Sequence, residues 1–170
     1  MKKLLIFIYI VCFSLIFCSC SLIGFSSLSF DDLTSNTYII SESGKKIRPY
    51  ARIVGGHYKN EAGEWVTDDT LMFGTENIVK SVIENNENDL PEIQSDNKYR
   101  IISNGQDHFA SVEIFDTHGN YIDSCDISNI SEFAQGTYIG FILMSNIPGN
   151  FEDNMQEYYN IGLFFKILSN

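Results

Sequence analysis

The chain has 170 residues, with 11 Lys and Arg against 22 Asp and Glu, so its formal net charge is −11. Hydrophobic residues make up 44% and aromatic residues 14% of the chain, which excludes an intrinsically disordered protein and allows one domain with a core. The acidic balance argues against nucleic acid as a partner, because binding to phosphates requires a basic surface.

The N-terminal residues have the pattern of an export signal. Lys2 and Lys3 precede the 14 uncharged residues of Leu4–Phe17. A short basic segment followed by an apolar run of this length is typical of a secretory signal peptide. We therefore predict an apolar leader helix and assign residues 1–19 to a signal peptide.

Cys20 resembles the lipidated cysteine of bacterial lipoproteins. In the lipobox of that family, a small residue separates the apolar run from the cysteine, and Ser19 occupies this place before Cys20. The sequence departs from the family at Phe17, where Leu is usual, and at Cys18, where a small residue is usual. The resemblance implies a lipid anchor at Cys20, a tether over residues 20–35, and a location on the extracytoplasmic face of the cell membrane.

Two alternatives to lipidation remain open for the leader. The uncharged stretch extends from Leu4 to Phe30, so an uncleaved membrane anchor of about 20 residues is one alternative. Cleavage and release without a lipid is the other. In either cleaved form the loss of Lys2 and Lys3 changes the net charge to −13.

Cysteine usage fits an exported domain without disulfides. Of the four cysteines, three lie in the leader or at its end, and only Cys125 belongs to the predicted domain. No intramolecular disulfide is therefore available to the domain. We interpret Cys125 as a small core residue, since the neighbouring Asp123 and Asp126 would suppress a reactive thiolate.

From residue 36 onwards, short β-branched and aromatic runs alternate with turn signals, which predicts an all-β domain over residues 36–170. Pro49 indicates an edge or bulged strand, Gly55-Gly56 indicate a break, and Asn60–Gly63 indicate a hairpin turn. The strands predicted in this half are Thr37–Ile40, Lys46–Val54, the two flanks of the hairpin turn at Tyr58 and Trp65-Val66, and Leu71–Phe73.

The segment Thr75–Asn85 fits two structures. Its apolar residues recur at helical spacing, which favours a helix, and Thr75 is able to cap its start. Those residues are β-branched, which favours a short strand instead. The apolar residues concerned are Ile78, Val79, Val82 and Ile83.

The second half has clearer strands. Turns are predicted at Asn104-Gly105 and Asp116–Asn120, one helical turn at Ser128–Phe133, and a loop at Ser145–Asn154. About seven to nine strands in the domain match the size of an immunoglobulin-like β-sandwich. The strands predicted in this half are Tyr99–Ser103, His108–Phe115, Tyr121–Ile127, Thr137–Met144 and Tyr158–Leu168.

Three sequence segments resemble the closing hairpins of bacterial immunoglobulin-like domains: Ser111–Asp116, Gly119-Asn120, and Gly136-Thr137-Tyr138. More loosely, the run from Gly44 through Trp65 to these hairpins is similar to extracellular domains of some Firmicutes. Such domains occur in small lipoproteins and behind the metallopeptidase domain of antirepressor-type sensors. The resemblance implies the sandwich fold and a sensor-like partner of a membrane peptidase, although the peptidase motif His-Glu-x-x-His is absent here.

No motif for catalysis or metal binding is present in the sequence. The histidines His57, His108 and His118 are far apart and form no zinc-ligand spacing. Pairs such as Asp68-Asp69 and Glu152-Asp153 match no calcium loop and are typical of turns. No nucleophile elbow is present. We therefore predict no enzyme, no metal and no cofactor.

Aromatic residues of the first half are the candidate binding residues. Tyr50, Tyr58 and Trp65 are predicted to form a platform for a protein, peptide or glycan, the alternative being that they belong to the core. The predicted function is a non-catalytic surface module that is structural, sensory or ligand-binding. A hydrolase with dispersed carboxylates and a sensor-like partner of a membrane peptidase are the alternatives.

Overall fold

A computed structural model of the chain describes residues 30–60, 62–108, 110–132, 135–145 and 157–169. The predicted signal peptide, Cys20, most of the tether and most of the predicted loop Ser145–Asn154 lie outside these residues. No helix in the described ranges is both long and apolar enough to cross a membrane.

The described chain is mostly β. Its two α-helices are α1 (Phe30–Ser35) and α2 (Thr75–Asn86), and short 3-10 helices cover Thr70–Phe73, Glu87–Asp89 and Ile127–Glu132. The strands are β1 (Thr37–Ser41), β2 (Lys46–Ile47), β3 (Tyr50–Lys59), β4 (Trp65–Asp68), β5 (Glu92–Gln94), β6 (Tyr99–Ser103), β7 (Gln106–His108), β8 (Ser111–Phe115), β9 (Tyr121–Asp126), β10 (Gly136–Ser145) and β11 (Tyr158–Ser169).

These strands form two antiparallel sheets. The small sheet has the order β2-β1-β6-β7, and the large sheet has the order β4-β3-β11-β10-β8-β9. Strand β5 joins the large sheet by pairing in parallel with β11. Strands β4 and β9 are therefore the outer strands of the large sheet in the part of the chain that is described.

The main core joins the two sheets. Side chains alternate along a strand, so every second residue of β11 points to the same face of the large sheet. On one face, Leu163 and Phe165 are buried together with Ile39 of β1 and Ile101 of β6. The small sheet therefore packs on this face of the large sheet.

A second core lies on the opposite face of the large sheet. Phe164, which falls between Leu163 and Phe165, is fully buried with Phe141 of β10. Val79 and Val82 of α2 complete this core, and their burial supplies the free energy that holds a β-branched helix in place. The large sheet is thus covered by a sheet on one side and by a helix on the other.

The prediction of an all-β domain is confirmed in part, because the described residues are mostly β and form two packed sheets, but a helix covers one face of the large sheet. Most predicted strands are present with ends shifted by a few residues. The helical alternative for Thr75–Asn85 is the correct one. Eleven strands are described, against about seven to nine predicted. Lys46–Val54 and His108–Phe115 each overlap two strands and β5 is an addition, whereas Tyr58 belongs to β3 and not to a strand of its own.

Two local predictions are wrong. Leu71–Phe73 belongs to a 3-10 helix, because the Asp68 carboxylate accepts the Thr70 N–H at 2.8 Å and turns the chain there. Gly55-Gly56 do not end a strand. They lie inside β3 next to a register shift, where a side chain on Gly56 would collide with the carbonyl group of Tyr158.

Candidate functional site

The three predicted binding residues lie in different parts of the large sheet. Tyr50 is half-buried, and its ring packs against Phe164 in the core under α2, with ring centroids 6.2 Å apart. Tyr58 packs against the core between the sheets. Trp65 is 42% exposed at the start of the edge strand β4. The structure does not bring the three together.

Register explains why Tyr58 and Trp65 are separated. Strands β3 and β4 pair so that His57 faces Thr67, Tyr58 faces Val66, and Lys59 faces Trp65. Because side chains alternate, His57, Lys59, Trp65 and Thr67 share one face of the sheet and Tyr58 lies on the other. We call these four residues the Trp65 surface.

The indole ring of Trp65 is held by its neighbours on this face. The imidazole ring of His57 stacks on it with centroids 4.6 Å apart and ring planes within 6° of parallel. The Nδ1 atom of His57 lies 3.0 Å from Oγ1 of Thr67, so a hydrogen bond orients the imidazole. The Nζ atom of Lys59 lies 5.1 Å from the indole centroid, within cation–π range. The result is an exposed indole with a fixed orientation.

Tyr58 belongs to a different arrangement on the inner face. Its ring lies 5.3 Å from that of Tyr159, whose hydroxyl group donates to the carboxylate of Glu157. Burial, followed by the hydrogen bond to Glu157 and the charge of that residue, raises the pKa of Tyr159 to about 12. Burial and the nearby Asp68 raise the pKa of Tyr58. Both phenols are therefore neutral at physiological pH and serve the packing of the sheet.

Two grooves open on the surface of the described domain. One groove of about 400 Å³ opens between β8 and β10, and its single lining carboxylate is Glu113. A second groove of about 330 Å³ is lined by Asp107 and Asp126. Two free carboxylates on either side of a bond are needed for glycoside hydrolysis.

The carboxylates of the second groove are already engaged. Asp107 forms a salt bridge to Arg100 at 2.8 Å. The side-chain and backbone hydrogen bonds from Ser128 lower the pKa of Asp126. A lowered pKa keeps Asp126 ionised, whereas a general acid needs a raised pKa.

Metal ligands do not gather in the described ranges, where no three His, Cys, Asp or Glu side chains lie close enough to hold an ion. His57 belongs to the Trp65 surface, His108 lies at the groove beside β10, and the backbone of His118 donates to Asp116 in the turn between β8 and β9. The three histidines are therefore in separate places.

Sequence reasoning missed His57 as a partner of Trp65. The signal was present, because the turn at Asn60–Gly63 fixes the register in which Lys59 faces Trp65 and His57 faces Thr67. Extending that register by two residues would have placed the imidazole on the same face as the indole.

Comparison of the chain with known protein families, with curated proteins and with solved structures finds no match.

Proposed function

We propose that the chain is an exported lipoprotein, anchored through Cys20 to the extracytoplasmic face of the cell membrane, whose β domain is a non-catalytic binding module. The basic segment, the apolar run and Ser19-Cys20 support export and lipidation. Two packed sheets and the β8–β9 hairpin around Gly119 support an immunoglobulin-like relationship for the domain.

The observation that carries the binding role is the orientation of Trp65. An exposed indole normally has rotational freedom that a ligand must remove on binding. Here the stacking of His57 and its hydrogen bond to Thr67 restrict that freedom in the free protein. A fixed, exposed aromatic ring is the type of anchor that dominates binding energy at recognition surfaces.

The polar groups around the indole define the class of ligand. Lys59 supplies a cation, and His57 and Thr67 supply further hydrogen-bonding atoms beside the ring. A flat apolar surface bordered by donors suits a peptide or a glycan with an acidic or strongly hydrogen-bonding group. The single carboxylate of the first groove and the engaged carboxylates of the second support binding over hydrolysis.

Trp65 is the only tryptophan of the chain, so tryptophan fluorescence, excited where tyrosine does not absorb, reports on this surface alone. We expect binding on peptide and glycan arrays, with the hits changing the Trp65 emission of the full-length protein. Trp65→Ala should abolish capture of these hits, whereas Met72→Ala, which removes an even more exposed apolar side chain, should retain it. Ligands that bind Trp65→Ala as well as wild type would refute the Trp65 surface as the binding site.

The anchor has its own experiment. Cys20→Ala should abolish labelling by a fatty-acid analogue and release the protein from membranes, because two or more acyl chains give stable anchoring and none remains in the variant. Cys18→Ala is the matched control, since it removes the neighbouring thiol and leaves Ser19-Cys20 intact. Unchanged labelling of Cys20→Ala would contradict the assignment.

A further inference from the structure

The hairpin of β1 and β2 has the opposite charge to the rest of the domain. Residues 37–48, which we call the basic hairpin, contain Lys45, Lys46 and Arg48 against the single acid Glu42, a net charge of +2. Residues 49–170 contain 6 basic and 19 acidic residues, a net charge of −13. Asp31 and Asp32, which lie in α1 within the predicted tether, offset this charge, so residues 30–48 together are neutral and the acidic charge lies in the remainder of the domain.

The basic hairpin lies next to the point where the predicted tether enters the domain. The Nη2 atom of Arg48 donates to the carbonyl oxygen of Ser35, the last residue of α1, at 3.1 Å. Phe30 is ten residues further along the chain than Cys20, so their Cα atoms lie at most about 36 Å apart in any conformation. A lipid on Cys20 would therefore keep this hairpin close to the bilayer surface.

The cations of the hairpin are exposed and held as a group. The Nζ atom of Lys46 and the Cζ atom of Arg48 lie 5.3 Å and 5.5 Å from the centroid of the Tyr38 ring. Lys45 is exposed beside them. The ion pairs found among the described residues involve none of the three. Their charge is therefore not neutralised by any carboxylate whose side chain the structure describes.

We infer that the basic hairpin docks on anionic phospholipid headgroups and orients the domain on the membrane, an inference that rests on the proposed lipid anchor. Headgroups attract the hairpin and repel the acidic remainder, so both forces favour the same orientation. The hairpin shares no residue with the Trp65 surface, and the two lie on different sheets. Docking therefore uses none of the groups that we assign to ligand binding.

Lysine acetylation of the full-length lipidated protein tests this orientation. The protein is placed in vesicles of phosphatidylcholine alone or mixed with phosphatidylglycerol, and the acetylation rate of each lysine is measured by mass spectrometry. A cation near an anionic surface gains about 1 kcal/mol, or about fivefold. We expect Lys45 and Lys46 to react about fivefold more slowly in the anionic vesicles, with Lys80 on α2 unchanged as the internal reference.

Salt and a matched pair of variants complete the experiment. High salt should restore the rates of Lys45 and Lys46, because the screening length shrinks to about 3 Å. Lys46→Gln should weaken the protection of Lys45, whereas Lys80→Gln should leave it unchanged. Equal rates in the two kinds of vesicle, or protection that high salt does not reverse, would overturn the docking proposal.

Failure of the anchor gives a different result. The lipidated protein should sediment with both kinds of vesicle, because its acyl chains insert in neutral and anionic bilayers alike. Protein that sediments with neither would refute the proposed function, whereas protein that sediments with both and shows equal lysine rates would refute only the docking of the basic hairpin.

Discussion

Gly119 and Lys80 are in direct contact across the surface of the domain. A Cβ atom on Gly119 would lie 2.5 Å from Cγ and 3.1 Å from the backbone nitrogen of Lys80. Gly119 belongs to the turn between β8 and β9, and Lys80 lies in the middle of α2. The turn thus supports the helix that covers the second core, and Gly119 adopts a positive φ of +78° to make this contact.

Gly119→Ala should destabilise the domain more than a comparable glycine substitution elsewhere. Gly63 has nearly the same φ, +79°, but no atom within 4 Å of its added Cβ. Gly63→Ala should cost about 1 kcal/mol for the left-handed backbone alone. Gly119→Ala should lower the free energy of unfolding by about 1–3 kcal/mol more than Gly63→Ala does, because the helix must also move. Urea unfolding followed by circular dichroism measures both, and equal costs would contradict the packing role of Gly119.

The same turn predicts a pH dependence. The carboxylate of Asp116 accepts the backbone N–H groups of Asn120 and His118 and the side-chain amide of Asn120, each at 2.8 Å. The bonds from Asn120, backbone first, lower the pKa of Asp116. A carboxyl group whose pKa is lowered in the folded protein stabilises the fold at pH values above the ordinary Asp pKa of about 3.9. This stabilisation is lost as the pH falls through the lowered pKa.

We therefore expect the stability difference between wild type and Asp116→Asn to be constant near neutral pH and to shrink below about pH 4. Unfolding free energies from urea titrations at several pH values provide the measurement. Asp69→Asn is the control, because Asp69 is an exposed carboxylate just before the 3-10 helix Thr70–Phe73 and its backbone carbonyl, not its side chain, accepts the N–H of Met72. A difference for Asp116→Asn that does not change with pH would contradict the role of the carboxylate.

The parts of the fold that sequence patterns predicted are those in which local and tertiary preferences agree. The period-two pattern of Ile161, Leu163, Phe165 and Ile167 in β11 corresponds to one buried face of the large sheet. In Thr75–Asn85 the two preferences conflict, since β-branched residues favour a strand while their spacing favours a helix. The helix forms because its apolar residues are then buried together against Phe141 and its neighbours in the second core.

The candidate site was predicted less completely, because a platform depends on which face each side chain occupies. The sequence identifies Tyr50, Tyr58 and Trp65 as aromatic residues on predicted neighbouring strands. A shift of one residue in the pairing of two strands, however, moves a ring from one face of the sheet to the other. Tyr58 and Trp65 differ in this way. Exposure of Trp65 and its stack with His57 follow from pairing across the hairpin, which residue types alone do not specify.

Cys125 is half-buried in β9 and packs against the core between the sheets. We expect iodoacetamide to modify this thiol severalfold more slowly in the native protein than in denaturant, because packing against the core limits access of the reagent to the sulfur atom. Peptide mass spectrometry measures the rates. Moving the thiol by one residue, in a Ser124→Cys, Cys125→Ser variant, should give fast native modification, since Ser124 is exposed. Similar native rates for the two positions would contradict the burial of Cys125.

Phe164 tests whether the helix layer contributes to stability. Its side chain is fully buried, 5.1 Å from the ring of Phe141 and 6.2 Å from that of Tyr50, on the face covered by α2. Phe164→Ala should cost about 3–5 kcal/mol, because the ring leaves a cavity that the sheet cannot close. Met72→Ala, at a position 83% exposed, should change stability by no more than about 0.5 kcal/mol. If urea unfolding showed that Phe164→Ala lowers the free energy of unfolding no more than Met72→Ala does, α2 would not be packed on the large sheet. The domain would then consist of the two sheets alone.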